Sequence, residues 1–215
     1  MNQLLKNLQY LKLKHPEWMV GVDDNPTLMQ LEALCARSSV SLQNLVSYNL
    51  EAEELPWENI RFIFLDVDGV MTEGGMFYTE KGDEFKRFDT KDGMAIKKAM
   101  DAGIQIGIIS SGFKTEVISH RASMFGIEYV HVGREKKEMI AEKWLKQLGL
   151  GWNECGYIGD DINDKEMMKR VGISGAPANA VSSIKATASF VLQQNGGFGC
   201  VREFISYLPG LKNQL

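Results

Sequence analysis

Ile60-Arg61-Phe62-Ile63-Phe64-Leu65-Asp66-Val67-Asp68-Gly69-Val70-Met71-Thr72 is the stretch on which the fold turns. Its first half is an almost unbroken run of β-branched and aromatic residues, the pattern of a strand covered on both faces in a parallel sheet. Similar short runs recur at 104–109, 129–132, 155–158, 171–174 and 189–192. Helix-length amphipathic stretches lie between them, such as Gly93 to Ala102 before Gly103 and Glu138 to Leu148 before Gly149. This alternation predicts a doubly wound α/β fold, whose ligands bind beyond the carboxyl ends of the parallel strands. One piece departs from it: Gly75 to Thr79 and Glu84 to Phe88, around Glu80-Lys81-Gly82-Asp83, read as a β-hairpin just after the first strand.

The 215 residues, 44% hydrophobic and 24% charged, exclude a disordered or fibrous chain. The net charge of −4 and the lack of a Lys/Arg run give no footprint for nucleic acid or anionic lipid. No stretch reads as a signal peptide or membrane helix, so a cytoplasmic protein is expected. Cys35, Cys155 and Cys200 are odd in number and widely spaced, implying neither a disulfide framework nor a zinc site. The acidic, proline-bearing stretch Glu51 to Pro56 marks a boundary near residue 56. Residues 1–55 carry four Lys/Arg against seven Asp/Glu. Thr27 to Cys35 and Ser38 to Leu45 faintly resemble later helices of a helix-turn-helix, but the acidic balance favours a helical extension of unknown role over DNA binding. That extension is expected to pack Leu28, Leu31, Leu34, Leu42 and Leu45 against the main domain or a partner.

Asp66 and Asp68 follow the apolar run two residues apart, so on a strand both carboxylates leave on one side, ~6–7 Å apart along the chain. Paired like charges there favour a hard cation such as Mg²⁺ over two solvated acids in a turn, and Gly69 lets the backbone turn away sharply. Gly159-Asp160-Asp161-Ile162-Asn163-Asp164 ends another apolar strand. Its acids could cap the next helix. If the two strands are neighbours, both clusters build one metal site. Ser110, Ser111 and Gly112 follow the second strand and lead through Phe113 and Lys114 into a helix whose amides suit phosphate oxygens. Lys136 and Lys137 open a helix, where the dipole disfavours cations, so an anionic partner is required.

Asp66-x-Asp68-Gly69-Val70-x-Thr72, the hydroxyl after the next strand, Lys137 and Gly159-Asp160-Asp161-x-x-Asp164 together resemble the haloacid dehalogenase superfamily of phosphatases, from about Ile60 to Leu208. The hairpin, Asp92-Gly93, Lys114 to Val117 with Arg121-Ala122, and Gly196-Gly197-x-Gly199-x-Val201-Arg202-Glu203 are similar to those phosphatases that act on 2-keto-3-deoxy sugar acid phosphates, octulosonate 8-phosphates and nonulosonate 9-phosphates. The resemblance implies a Rossmann-like sheet carrying a hairpin flap. It implies Asp66 as the nucleophile that forms an aspartyl-phosphate and Asp68 as general acid and base. It implies Mg²⁺ held by Asp66, the Asp68 backbone carbonyl and Asp160, with Asp161 or Asp164 orienting the shell. Ser110 and Lys137 would bind the phosphoryl oxygens, and Asp68, Gly69, Asp92, Gly93, Ser111, Gly112, Arg121 and Arg202 would serve substrate binding.

Here Ser110-Ser111-Gly112-Phe113 stands where the octulosonate enzymes commonly carry Thr-Gly-Arg, so either serine could be the phosphate-binding hydroxyl; the preceding strand aligns to Ser110. No room exists between these motifs for a separate cap domain. The resemblance implies a homotetramer in which neighbours cover the site, the hairpin pairing across subunits and Arg202 reaching a substrate carboxylate. The competing readings are a broad-specificity sugar phosphatase and a non-catalytic scaffold using the N-terminal segment.

Overall fold

The computed structural model describes residues 3–112, 115–212 and 214. It divides into two compact units, 1–55 and 56–215.

The first unit is four helices, α1 (Gln3–Lys14), α2 (Leu28–Ser38), α3 (Leu42–Ser47) and α4 (Leu50–Glu53). Thr27 and Gln30 close a capping box at the start of α2, and Ser41 caps α3. Leu31, Leu34 and Leu45 bury together with Leu8, Leu11 and Leu50, so these leucines make a core of their own. Leu28, expected inside, is 60% exposed, because it is the first residue of α2 and lies off that seam. Asn7 fastens the unit: its amide donates to the Leu45 and Tyr48 carbonyls, and its Oδ1 accepts from the Leu50 amide.

The second unit runs β1 (Phe62–Leu65), the hairpin strands β2 (Phe77–Tyr78) and β3 (Glu84–Phe85), α5 (Thr90–Asp101), β4 (Gln105–Ser110), α6 (Thr115–Ser123), β5 (Tyr129–Val132), α7 (Lys137–Leu148), β6 (Cys155–Ile158), α8 (Lys165–Arg170), β7 (Ile173–Ala176), α9 (Ser182–Lys185), β8 (Phe190–Val191) and α10 (Cys200–Ser206). Six strands pair in the order β5-β4-β1-β6-β7-β8, all parallel. The chain builds outward from β1 to β5 on one side and returns to build β6 to β8 on the other. The order therefore reverses beside β1, the place where doubly wound sheets open a crevice. Leu65 of β1 sits level with Ile108 of β4 and Ile158 of β6, so the segments leaving these three strands converge. Every residue of β1 is fully buried.

Helix α5 begins at Thr90, not Gly93, because the Asp89 side chain caps it by accepting from the Lys91 and Asp92 amides. β7 begins two residues later than the sequence pattern suggested, since Val171 and Gly172 serve to end α8, Val171 donating to the Met167 carbonyl. Among the described residues no helix is long and apolar enough to cross a membrane.

Candidate active site

Beyond the carboxyl ends of β1, β4 and β6 lies an open pocket of about 240 Å³ lined by Asp66, Asp68, Gly74, Ser110, Ser111, Gly112, Asp160, Asp161 and Asn163. The strand geometry expected for Asp66 and Asp68 ends at Leu65, and residues 67–71 form one wide turn. Asp66 and Asp68 nevertheless keep extended backbone, and both face the pocket. Gly69 makes this possible. Its φ is +86°, and a side chain there would fall on the Asp160 carboxylate, so its bare Cα lets the two acidic segments close on each other.

Asp66 is 4% exposed and Lys137 2%. The Lys137 ammonium lies 2.7 Å from Asp66 Oδ1 and 2.6 Å from Asp164 Oδ1, which supplies the anion that its place in the first turn of α7 demands. Burial works against the ammonium, but Asp66 and Asp164 outweigh it and hold Lys137 protonated. For Asp66, burial pushes the carboxyl upward against the pull of Lys137, with Asp164 adding repulsion.

Asp164 is fully occupied. Its Oδ1 accepts from Lys137 and from the Tyr157 hydroxyl, and its Oδ2 accepts from the Asp160 and Asp161 amides. It therefore orients the acidic loop and Lys137 together. Asp161, expected beside the metal, turns its carboxylate to the Ile162 amide at 2.7 Å and acts as a cap. Asp161 lines the pocket beside Asp160 all the same. The acids that do approach one another are Asp66, Asp160 and Asp164, whose oxygens lie within 4.8 Å.

The donor set fits a divalent cation. Burial first, then repulsion from Asp164 and Asp161, pushes the Asp160 carboxyl up to about 7, so the site carries more negative charge than its protein partners neutralise. With Asp164 saturated by hydrogen bonds, the hard oxygens left facing the pocket are those of the Asp66, Asp160 and Asp161 carboxylates.

Ser110, at the end of β4, is buried, and its hydroxyl accepts from the Gly112 amide at 3.1 Å. Ser111 accepts from the Asn163 side chain at 3.3 Å. Both serines face the pocket; Phe113 and Lys114 lie outside the described residues.

Four expected substrate residues are placed elsewhere. The buried Asp92 carboxylate accepts from the Gly199 and Arg202 amides, capping α10, and burial raises it to about 6. Gly93 sits under Arg121 and Phe125. Arg121 lies over the Phe88 and Phe125 rings and donates to the Asp89 carbonyl. Arg202 is in the first turn of α10, its amide held by Asp92. In the segment before it, the Gly197 amide donates to the Val70 carbonyl, and Gly196 and Gly197 pack on residues 69–73 of the same chain.

Three residues at the site escaped sequence reasoning. Lys86 of the hairpin lies 2.6 Å from Asp68 Oδ1 and 2.6 Å from Glu84 Oε1. Burial alone would lower its pKa, but those hydrogen bonds raise it. Its alternation with Glu84 was the available signal. Tyr157 is a phenol inside an apolar strand, which demands a buried partner. Asn163 lay unremarked within the second acidic motif.

The family model described as haloacid dehalogenase-like hydrolase matches residues 113–205. The chain is 37% identical over 146 residues to the 3-deoxy-D-manno-octulosonate 8-phosphate phosphatase of Haemophilus influenzae, covering 68% of this chain and 81% of that one. The structure of the cobalt-bound form of the deoxy-D-mannose-octulosonate 8-phosphate phosphatase from Haemophilus influenzae superposes with a TM-score of 0.69 at 34% identity, over 73% of this chain and 91% of that one. An octulosonate 8-phosphate phosphatase from Moraxella catarrhalis, crystallised with magnesium, phosphate and its KDO molecule, gives 0.69 at 25% identity, over 76% and 92%.

Proposed function

The chain belongs to the haloacid dehalogenase-like hydrolases, as a phosphoric monoester hydrolase, and from that premise we propose that it removes phosphate from a 2-keto-3-deoxy sugar acid phosphate, an octulosonate 8-phosphate or a nonulosonate 9-phosphate. The observation that carries this reading is the buried Asp66 carboxylate at the end of β1, gripped by Lys137 and facing Asp160.

Asp66 is the nucleophile: an oxygen of its carboxylate bonds to phosphorus as the bond to the sugar oxygen breaks. Asp68 gives that oxygen its proton, then takes one from the water that cleaves the aspartyl-phosphate. Lys137 and Ser110 bind the phosphoryl oxygens, and the low exposure around them strengthens each contact. Asp164 and Tyr157 keep Lys137 aimed. Asp66, Asp160 and the Asp68 carbonyl are the residues to hold Mg²⁺, which when bound offsets charge on the phosphoryl group.

The exposed apolar side chains of the hairpin, Met76, Phe77, Tyr78 and Phe85, support assembly of a homotetramer in which copies cover one another's open sites. The free cysteines, two of them buried, fit a reducing cytoplasm. A broad-specificity reading has one observation in its favour: Gly74, Ser110, Ser111, Gly112 and Asn163 line the pocket beside the acids, and no arginine does so among the described residues.

Steady-state assays with Mg²⁺ on octulosonate 8-phosphate, a nonulosonate 9-phosphate and glucose 6-phosphate test the assignment. A kcat/KM at least ~100-fold higher on a keto-deoxy acid is expected; equal values favour the broad reading. Asp66→Asn abolishes turnover if Asp66 is the nucleophile, and full activity in that variant refutes its role.

A further inference from the structure

The hairpin does more than present an aromatic face. Successive residues of its return strand point to opposite sides. Phe85 stacks on Phe77 with its ring centroid 5.5 Å away and is 55% exposed. Glu84 and Lys86 turn the other way, with side chains only 4% and 3% exposed, and Lys86 places its ammonium on Asp68 Oδ1. The next residue anchors the strand: Arg87 pairs with Glu73 at 3.1 Å and donates to the Gly197 carbonyl at 3.0 Å, and both partners adjoin the loop that follows Asp68.

We infer that Lys86 is a positioning residue for the acid-base step: it occupies Asp68 Oδ1 and so assigns the proton transfers to Asp68 Oδ2. That second oxygen is the one on the pocket side, since a Cβ on Gly112 would lie 3.9 Å from it. A carboxylate on a single short side chain can turn both oxygens to solvent, and only one rotamer aims Oδ2 at a leaving group. Lys86 selects that rotamer and ties it to the seating of the hairpin. Glu84 in turn gives the buried ammonium a second carboxylate, which offsets its loss of hydration.

The inference rests on Asp68 being the acid-base residue, and the experiment separates the two claims. Lys86→Met keeps the aliphatic stem, and Lys86→Met with Glu84→Gln avoids leaving a buried carboxylate alone. Each is assayed with Mg²⁺ for kcat/KM on p-nitrophenyl phosphate, phenyl phosphate and glucose 6-phosphate, in order of worsening leaving group. Nitrophenolate needs little protonation as it departs, whereas a sugar alkoxide needs it most. The expected result is a loss on the order of 10²-fold for glucose 6-phosphate and under ~3-fold for p-nitrophenyl phosphate, a steeper dependence on the leaving group, with Lys86→Arg restoring most of it. A merely structural lysine would lower all three substrates by one factor, and that outcome, or no loss at all, overturns the inference. Asp68→Asn is the control. If it steepens the dependence while the Lys86 variants do not, Lys86 alone is misassigned; if it does not, the acid-base role of Asp68 fails and the role of Lys86 with it.

Discussion

Lys137 Nζ lies 2.7 Å from Asp66 Oδ1 with both side chains almost wholly withdrawn from solvent, and the same ammonium holds Asp164 at 2.6 Å. One cation thus serves two buried carboxylates, from β1 and from the loop after β6. Taking ions out of water costs several kcal/mol each, and the attraction between them offsets that cost only while all members stay in place.

Lys137→Met is therefore expected to destabilise the fold by about 3–5 kcal/mol as well as to abolish activity, because Asp66 and Asp164 are left buried without a counter-charge. Urea unfolding reads the first effect. Adding Asp164→Asn to Lys137→Met relieves one of the charges and recovers part of the stability without recovering turnover. A single variant as stable as the parent would mean that the pair is not buried as described.

Metal affinity should depend on pH through Asp160. Its carboxyl is raised to about 7, so below that pH a proton must leave before a cation binds. Calorimetric titration with Mg²⁺ should show Kd rising roughly tenfold per unit as pH falls from 7 to 5, with proton release visible in buffers of different ionisation heat. Asp160→Asn should weaken binding at pH 7.5 by at least ~100-fold and remove the Asp160 share of the pH dependence. An unchanged affinity in that variant would remove Asp160 from the ligand set.

Ser110 and Ser111 can be told apart by truncation. Removing a hydroxyl that holds a phosphoryl oxygen in the transition state costs on the order of 10²-fold in kcat. Ser110→Ala is expected to do so, since Ser110 is the buried end of β4. Ser111→Ala, whose hydroxyl partners Asn163, should cost under ~5-fold. The reverse ranking would transfer the role.

Asp92 should shape stability against pH without touching chemistry. Its carboxyl is raised to about 6, chiefly by burial, so between pH 4 and 6 the folded state binds more protons than the unfolded. From this group stability falls as pH rises through that window, by up to about 3 kcal/mol, and is flat above it. Asp92→Asn removes the titration. The difference in unfolding free energy between variant and parent should therefore shift in the variant's favour from pH 4.5 to 7.5, with kcat/KM at pH 7.5 changed less than ~3-fold. A difference independent of pH would contradict the assigned burial.

The alternation of apolar runs with Gly-ended helices, and the acids placed at the ends of those runs, were legible from residues alone because burial and backbone period are local properties written at fixed spacing. So was the need of Lys137 for an anion, which follows from its place at a helix start. Which anion it meets was decided by the sheet. Strand β6 lies beside β1 in the register Leu65↔Ile158, and that pairing alone brings residues 160–164 to Asp66. Asp161 and Asp164 look equivalent along the chain, yet one caps a turn and the other receives four hydrogen bonds, because a helical turn aims neighbouring side chains in different directions. Asp92 and Lys86 make the same point in opposite senses. The acid expected to touch substrate caps a helix 110 residues away in sequence, and the unremarked lysine grips Asp68 across 18. Contacts between elements depend on how their faces meet in three dimensions, and no spacing along one element encodes its partner.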